Sequence, residues 1–599
     1  MEVRFDDRQR DTRYGFRGLQ EVVEARRLDQ VIPAFEQVQS GVAAGKWAAG
    51  FVTYEAAPAF DDVLTVRSPA EGASDPAVPL LWFALYDHRV DLEPIHTGGY
   101  DLTSWEASED RAAYGRSMAQ IQSHIQAGDT YQVNYTYQLS AGFHGDPKAF
   151  YGDLLAAQSA AFGAYVDTGQ VQILSASPEL FFQQRGLHIT CRPMKGTAAR
   201  GRWLAEDRAV EAGLLASNKN RAENIMIVDL IRNDLGRVAR FGTVRVDRLI
   251  EAERYETVWQ LVSTVSAELR PSTSTIDVFR ALFPCGSVTG APKVRTMEII
   301  AGLEGNPRGA YCGAIGMLAP PQADEPSTFS VAIRTVTIHS QSSTASYGVG
   351  GGVTNDSRTD EEYEETRTKA LVILREAPDF ELIETLRWES DKGYLFVRYH
   401  LDRLQDSAEY FGWRCDRVGV EQQLREAAGG IEEEVARVRL SLDKRGLARI
   451  EVSGLTQVAG RRRVAVDDVP VDRSDWRLFH KTSLRDVYQQ ARLRHAAADD
   501  VLMINGDGEI TESTIANVIV RLDGNWVTPP VASGCLPGVM RRVLLEAGDI
   551  SEAPVCVSDL DRAEGLALIS SVRLRVPAVL AEPVVAPAST SRRPGRWRQ

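Results

Sequence analysis

The sequence predicts a multidomain α+β and α/β protein, with a first part separate from a second that begins at about residue 380. Three observations point there. The chain has 599 residues, too many for one ordinary domain. Short apolar runs that alternate like strands are interleaved with stretches of helical period. The pattern stops at Pro378 and then restarts with a new strand and a new helix.

The first 110 residues carry short apolar runs, WAAGFVTYEAA and VPLLWFALYDH, between polar turns, and these read as strands. Ser68–Pro79 is a Pro/Ala/Ser-rich loop. A helix begins near Tyr114 and closes at Gly128; Val171–Phe182 reads as strand and turn, and Asn220–Asp234 as helix. Phe329–Arg334 and Ala345–Val349 alternate like strands and lead into Gly350–Gly351–Gly352. Asp360–Arg375 is a helix with Pro378 after its end. Phe380–Arg387 then reads as a strand and Tyr399–Phe411 as a helix, which puts a boundary at 376–380. The expected division is 1–110, 111–376, 377–583 and a Pro/Ala/Ser-rich, disordered tail over 584–599.

Composition narrows the function classes. Hydrophobic residues make up 44% and charged residues 25%, as in soluble globular proteins. A net charge of −14 argues against nucleic acid or an anionic membrane as partner, though a few local cations can still hold a small anion. Six scattered cysteines with no C-x-x-C spacing suit reduced thiols in the cytoplasm. The N-terminal residues have no apolar core like that of a signal peptide, and no run of about 18 apolar residues exists to span a membrane.

Several segments are chemically suggestive. On the helix DEEYEETRTKA, Glu362, Glu365 and Lys369 share one face, an arrangement able to hold Mg²⁺ and an anion; a solvated acidic face is the plainer alternative. Lys195, in CRPMKGTAAR, follows a strand-like run; in an apolar setting it can lose its proton and act as nucleophile or base, and otherwise it is a turn lysine. FPCGSVTGAPK, with Thr289, Gly290 and Lys293, is a loop running into a helix that can cradle a carboxylate, or an ordinary loop. Lys481 in HKTSLRDVYQQARLR and Glu512 in ITESTIANV are weak signals by themselves.

Taken together, GDTYQVNYT, SPELFF, RPMKGT, RAENIMIVDLIRNDLGRV, FPCGSVTGAPKVRTMEII, FSVAIRT and GGVTNDS, in this order over about 110–376, resemble the chorismate-utilising family. That family includes anthranilate, isochorismate, salicylate and aminodeoxychorismate synthases, and the resemblance implies large antiparallel sheets with flanking helices. The resemblance implies that Glu223, Glu362 and Glu365 ligate Mg²⁺. It implies that Tyr311, Arg334 and Lys369, with backbone near Gly351 and Gly352, hold the carboxylates of chorismate, and that Glu179 protonates the departing 4-hydroxyl. Lys195 in the P-x-K-G-T form implies a nucleophilic lysine and amination at C4, where anthranilate synthases carry Ala. Gln260 stands where many relatives have His, and Asn220 where relatives often have an acid. With no nucleophile-elbow Cys of a glutaminase in the sequence, a separate glutamine amidotransferase is expected to supply ammonia.

Downstream, LIETLRW, YHLDRL, KTSLR, GEITESTIANVIV, TPPVASGCLPGVMR and ISSVRLRVPAV resemble the fold-type IV pyridoxal-phosphate enzymes, D-amino acid aminotransferase-like in fold, over about 380–582. The resemblance implies that Lys481 carries the cofactor and that Glu512 faces its pyridine nitrogen. Arg403 and Ser571, with backbone near Thr514 and Val572, would then bind its phosphate; Asn517 lies in the same motif. Such enzymes usually dimerise, so a homodimer is expected. That group includes aminodeoxychorismate lyase, and the two resemblances together imply amination of chorismate at C4 followed by elimination of pyruvate, with p-aminobenzoate as the expected product. The competing expectation is an anthranilate or isochorismate synthase-like part joined to a branched-chain or D-amino acid aminotransferase-like part. A non-catalytic descendant would have lost the residues just named, and all are present.

Overall fold

The structure, a computed structural model, describes residues 1–67, 78–95, 98–158, 160–370, 379–456 and 460–581. Most of the loop at 68–79, the last turns of the helix expected to reach 375, and the tail at 584–599 therefore lie outside the described residues. The chain forms two compact units, Met1–Arg200 with Val210–Ala377, and Gly201–Ala209 with the chain from Pro378 onward. No helix among the described residues is long and apolar enough to cross a membrane.

In the first unit one antiparallel path runs from strand to strand. It leads from Gln132–Gly145 through Thr344–Val353, Thr335–His339, Val171–Ser177, Phe162–Asp167 and Glu2–Asp7 to Thr12–Ala25. It continues through Leu81–Asp91, Trp47–Val52, Ala314–Leu318, Ser327–Val331, Leu180–Arg185 and His188–Arg192 to Val258–Glu268. Met194–Ala199 and Arg245–Arg254 pair with this last strand. Residues 1–110 thus feed strands into the same sheet as the rest of the unit: Trp47–Val52 lies beside Ala314–Leu318. All six residues of Trp47–Val52 are buried, because both faces of that strand are covered.

Helices cover the sheet where its outward face is apolar. Leu28–Ala43 buries Val31, Ala34, Phe35 and Val38, spaced for one helical face. Thr275–Leu282 begins with a capping box, in which Ser274 and Asp277 satisfy each other's backbone N–H groups. It buries Phe279, which contacts the rings of Phe35, Phe60, Phe181, Phe182, Phe283 and Phe329. This aromatic block fixes the start of strand Leu180–Arg185, and with it Glu179 immediately before it.

The second unit contains a four-stranded antiparallel sheet and an eight-stranded mixed sheet. In the smaller sheet Leu382–Glu389 pairs with Val435–Leu442, and helix Val397–Phe411 packs on it through Leu401, Leu404 and Ala408. In the larger, Arg462–Val466 lies parallel to both Asp500–Ile504 and Leu574–Leu580. A single bridge, Leu382 to Thr482, ties the residue after Lys481 to the smaller sheet. The short segment Gly201–Ala209, expected with the first 376 residues, belongs to this unit. The Trp203 ring packs at a tilt against Phe479, and the Arg202 carbonyl meets His480 Nε2 at 3.1 Å.

Candidate active sites

Both ends of the antiparallel path contribute to one cavity of the first unit. From one end come Gly350 and Gly352; from the other, Lys195 and Gln260. Glu179, Glu223, Tyr311, Arg334, Glu362, Glu365 and Lys369 complete the wall. Of the residues singled out from the sequence, the structure gathers these around one space across about 190 positions of chain.

The charges are arranged to differ in protonation. Burial pushes the Glu179 carboxyl up to about 7; the side chain is 2% exposed and the Cys285 thiol lies 3.9 Å from its Oε1. Burial also lowers the Lys195 ammonium from its ordinary range, and Lys369 adds to the effect. The Lys195 Nζ donates to the Ser287 carbonyl at 3.4 Å. Burial, together with Glu362 and Glu365, raises Glu223; burial and Glu365 raise Glu362. Glu365 is held low by Lys369, whose Nζ lies 2.7 Å from it and also donates to the Gly350 carbonyl at 2.9 Å. Arg334, a non-glycine residue with φ of 53°, is held by donation to the Lys369 carbonyl at 2.5 Å.

The glycines of strand Thr344–Val353 are steric requirements. A Cβ on Gly348 would meet the Tyr311 ring at 2.2 Å. A Cβ on Gly352 would meet Gln132 Nε2 at 2.1 Å and Lys195 Nζ at 2.6 Å. Because those are the far ends of side chains, the Gly352→Ala protein is expected to keep its thermal midpoint within a few degrees. Lys195 is displaced, and turnover should fall about a hundredfold. An unchanged rate would show that Lys195 tolerates the shift. Gly351 is not on the wall; its Cα faces Glu362 Oε2 and Lys369 Nζ.

Three expected substrate contacts lie elsewhere. Lys293 is committed to Asp234 at 2.9 Å and the Leu282 carbonyl at 3.0 Å. Thr289 is fully buried with its hydroxyl on the Cys285 carbonyl, and Gly290 pairs with Val133. The loop FPCGSVTGAPK meets the cavity through Ser287 and Val288 instead. Sequence reasoning missed Lys219, which lines the cavity 3.7 Å from Glu362, and Cys285 beside Glu179. Lys219 directly precedes Asn220 and the RAEN motif, and that adjacency was the available signal.

The second unit encloses a cavity of about 570 Å³, within the range of sites for cofactor-sized ligands. Lys481, Glu512, Arg403, Ser571, Thr514, Val572 and Asn517 all line it. Burial, with Arg403 and Arg485, lowers the Lys481 ammonium to about 8. Burial raises Glu512 to about 7; it accepts from Tyr488 Oη at 2.8 Å and from Asn517 Nδ2 at 3.4 Å. Arg403 forks onto Glu384 at 2.9 and 2.7 Å, and its third nitrogen donates to the Pro537 carbonyl at 3.3 Å. Arg403 and His400 together outweigh burial and hold Glu384 down at about 2. Ser571 donates to the Thr385 carbonyl and Thr514 to Asp500.

The chorismate binding enzyme family matches residues 4–375, more than half of the chain. The chain belongs to that family. A second match, amino-transferase class IV, covers residues 381–580. Among relatives of this chorismate binding enzyme, an aminodeoxychorismate synthase of Streptomyces griseus is 44% identical over 45% of this chain and 37% of its own. Aminodeoxychorismate synthase component 1 of Klebsiella aerogenes is 41% identical over 50% of this chain and 65% of its own. The chain thus covers less than two thirds of the length of either relative. An anthranilate synthase component I from Streptococcus pneumoniae shares the fold, with TM-score 0.52, 23% identity, and coverage of 62% of this chain and 92% of that one.

The donor sets fit the two groups the sequence led us to expect. Glu223, Glu362 and Glu365 face one cavity and repel one another, a situation that a divalent cation relieves. Their oxygens are not drawn together within 4.8 Å. As placed, the three cannot all touch one Mg²⁺ at once; Mg²⁺ needs only one or two carboxylates and completes its shell with water and substrate oxygens. The set that does lie within 4.8 Å among the described residues, Asp467, Asp468 and His495, has Asp467 already engaged by Arg494 and His495. In the second cavity, a lysine of lowered pKa and a buried carboxyl suit pyridoxal phosphate: the first for attachment, the second for its ring nitrogen.

Proposed function

We propose that the chain makes p-aminobenzoate in two steps. The first unit exchanges the 4-hydroxyl of chorismate for ammonia, giving 4-amino-4-deoxychorismate and water. The second releases pyruvate from that product and leaves the aromatic amine. A separate glutamine amidotransferase supplies the ammonia. The observation that carries this reading is a lysine of lowered pKa, Lys195, in one cavity with a carboxyl held near 7, Glu179, and three glutamates.

The residues divide the first reaction as follows. Arg334, Lys369 and Tyr311 bind and orient the substrate's carboxylates. Mg²⁺, when bound by Glu223, Glu362 and Glu365, neutralises a carboxylate. Neutral Lys195 Nζ forms a bond to C2 as the C4–O bond breaks, both alkene pairs of the ring diene shifting one place along C1, C6 and C5 toward C4. Glu179 donates its proton to the departing oxygen, which leaves as water. Ammonia then bonds to C4, the two alkene pairs shift back, the Lys195 nitrogen departs with its electron pair, and the proton shed by the new C4 amine returns to Glu179. In the second unit the cofactor, when bound, supplies an electron sink. Lys481 would hold the cofactor and take the substrate's C4 proton, and Glu512 would face the cofactor's ring nitrogen.

This assignment fixes the pH profile of the first step. Glu179 must be protonated, so kcat/KM falls as pH rises through about 7. Lys195 must be neutral, so the rate climbs with pH toward its lowered pKa. At constant free ammonia the two requirements give a bell, and Glu179→Gln should abolish its alkaline limb with a loss of about 10²–10⁴-fold. A wild-type rate that is flat between pH 6 and 8 contradicts the assignment of Glu179. The deciding experiment for the whole reading is incubation with chorismate, Mg²⁺ and ammonium, with and without pyridoxal phosphate, followed by product identification. p-Aminobenzoate formed only with pyridoxal phosphate supports it; anthranilate overturns it.

A further inference from the structure

The second cavity carries far more positive charge than a cofactor phosphate requires. Seven arginines and Lys481 line it, against two carboxylates, Asp500 and Glu512. Three of the arginines are occupied. Arg403 is bound to Glu384 and Arg477 to Asp475, while Arg485 donates to the Thr514 carbonyl and lies over the Tyr488 ring. The other four, Arg437, Arg439, Arg462 and Arg573, form no ion pair among the described residues.

Their placement is built into the strands. Arg437 and Arg439 alternate on Val435–Leu442 and so project from one face, with Cα atoms about 6.6 Å apart. Arg462 opens the strand Arg462–Val466, and Arg573 lies in the turn between Gly565–Ser570 and Leu574–Leu580. Arg573 Nε is buried with no hydrogen-bond partner. Its positive charge is opposed by burial and by its neighbours Arg462 and Arg437, and Asp500 offsets this only in part. Asp500 is itself held by Thr514, leaving its second oxygen without a partner. Unpaired, mutually repelling cations in a cleft are a standing demand for anions. A single carboxylate accepts one guanidinium fork, and four guanidiniums spread over two strands and a turn exceed that.

We propose that Arg437, Arg439, Arg462 and Arg573 form a carboxylate-recognition wall that selects substrates bearing two carboxylates. This deepens the lyase reading above and rests on it. A branched-chain amino acid presents one carboxylate, whereas 4-amino-4-deoxychorismate carries one on the ring and one on the enolpyruvyl arm.

The test uses the full chain loaded with pyridoxal phosphate and follows the cofactor's visible absorbance, which reports on this cavity alone. Isophthalate, an aromatic dicarboxylate, and benzoate are titrated separately. Isophthalate should bind at least about tenfold more tightly, and Arg462→Gln and Arg573→Gln should each reduce that ratio about tenfold. In turnover, the same variants should raise KM for 4-amino-4-deoxychorismate about tenfold with kcat within about threefold. Arg437→Gln, at an exposed position, gives a variant whose folding is not in question. An unchanged ratio in all three variants overturns the proposal. So does a loss of cofactor affinity without a change in ratio, since the arginines would then serve the phosphate. If isophthalate binds in an arginine-dependent way but no p-aminobenzoate forms from 4-amino-4-deoxychorismate, the lyase reading fails and the dicarboxylate wall stands.

Discussion

Lys195→Ala is expected to abolish p-aminobenzoate formation from chorismate and ammonium while leaving pyruvate release from supplied 4-amino-4-deoxychorismate at the wild-type rate. The expected loss is at least about a thousandfold, because on the proposed mechanism the variant removes the atom that bonds to C2 rather than one that tunes it. The shortened side chain leaves a gap bounded by Glu179, Glu223, Glu365 and Gly352. Water can fill it, so the fold is not at risk. The two halves of the assay separate a broken chemical step from a broken protein. Liquid chromatography of both products reads them directly, and retained conversion of chorismate removes Lys195 from the mechanism. Anthranilate from the variant would also be informative. It would mean that ammonia can reach C2 once the lysine no longer occupies it.

The second large effect falls on Lys481. Lys481→Ala should eliminate the visible absorbance of the attached cofactor and let 4-amino-4-deoxychorismate accumulate from chorismate at the wild-type rate. The lysine's position explains why no neighbour replaces it. Other cavity-lining cations are guanidiniums, which stay protonated and cannot act as an amine nucleophile. Burial brings the Lys481 ammonium to about 8, so at neutral pH an appreciable fraction is already the free amine. Raising the pH through 8 should speed cofactor attachment to the wild-type apoprotein and leave the variant unaffected. An unchanged absorbance spectrum in the variant would remove Lys481 from its role.

Much of this was legible in the sequence where the signal is local. Helical spacing located Arg111–Gln126, Asn218–Gly236 and Val397–Phe411, and alternation located Thr344–Val353 and Leu382–Glu389. Leu28–Ala43 escaped although its apolar residues have helical spacing, because Pro33 stands inside it. Lys293 shows the limit more clearly. A lysine at the end of a Gly/Ser/Thr loop suggests an anion cradle, but its partner, Asp234, stands 59 residues earlier. Nothing near Lys293 announces that its charge is already matched. The arginine wall was hidden for the complementary reason. R-x-R on Val435–Leu442 reads as the wet face of a strand until Arg462 and Arg573 are brought to the same space by a different sheet. Gly201–Ala209 lies within the first 376 residues by sequence and joins the second unit through Trp203 and Arg202, a long-range pairing that no local pattern encodes.

The antiparallel path of the first unit meets the cavity at both of its ends, and this bears on how the protein matures. Lys195 and Gly352 approach each other although their strands lie far apart along that path, so the wall they share depends on pairings between residues distant in the sequence. Non-local pairing of this kind slows folding. It also makes any small anion that bridges the two ends a clasp: occupancy by such a molecule raises the resistance of the entire sheet to heat, not merely that of the strands it touches.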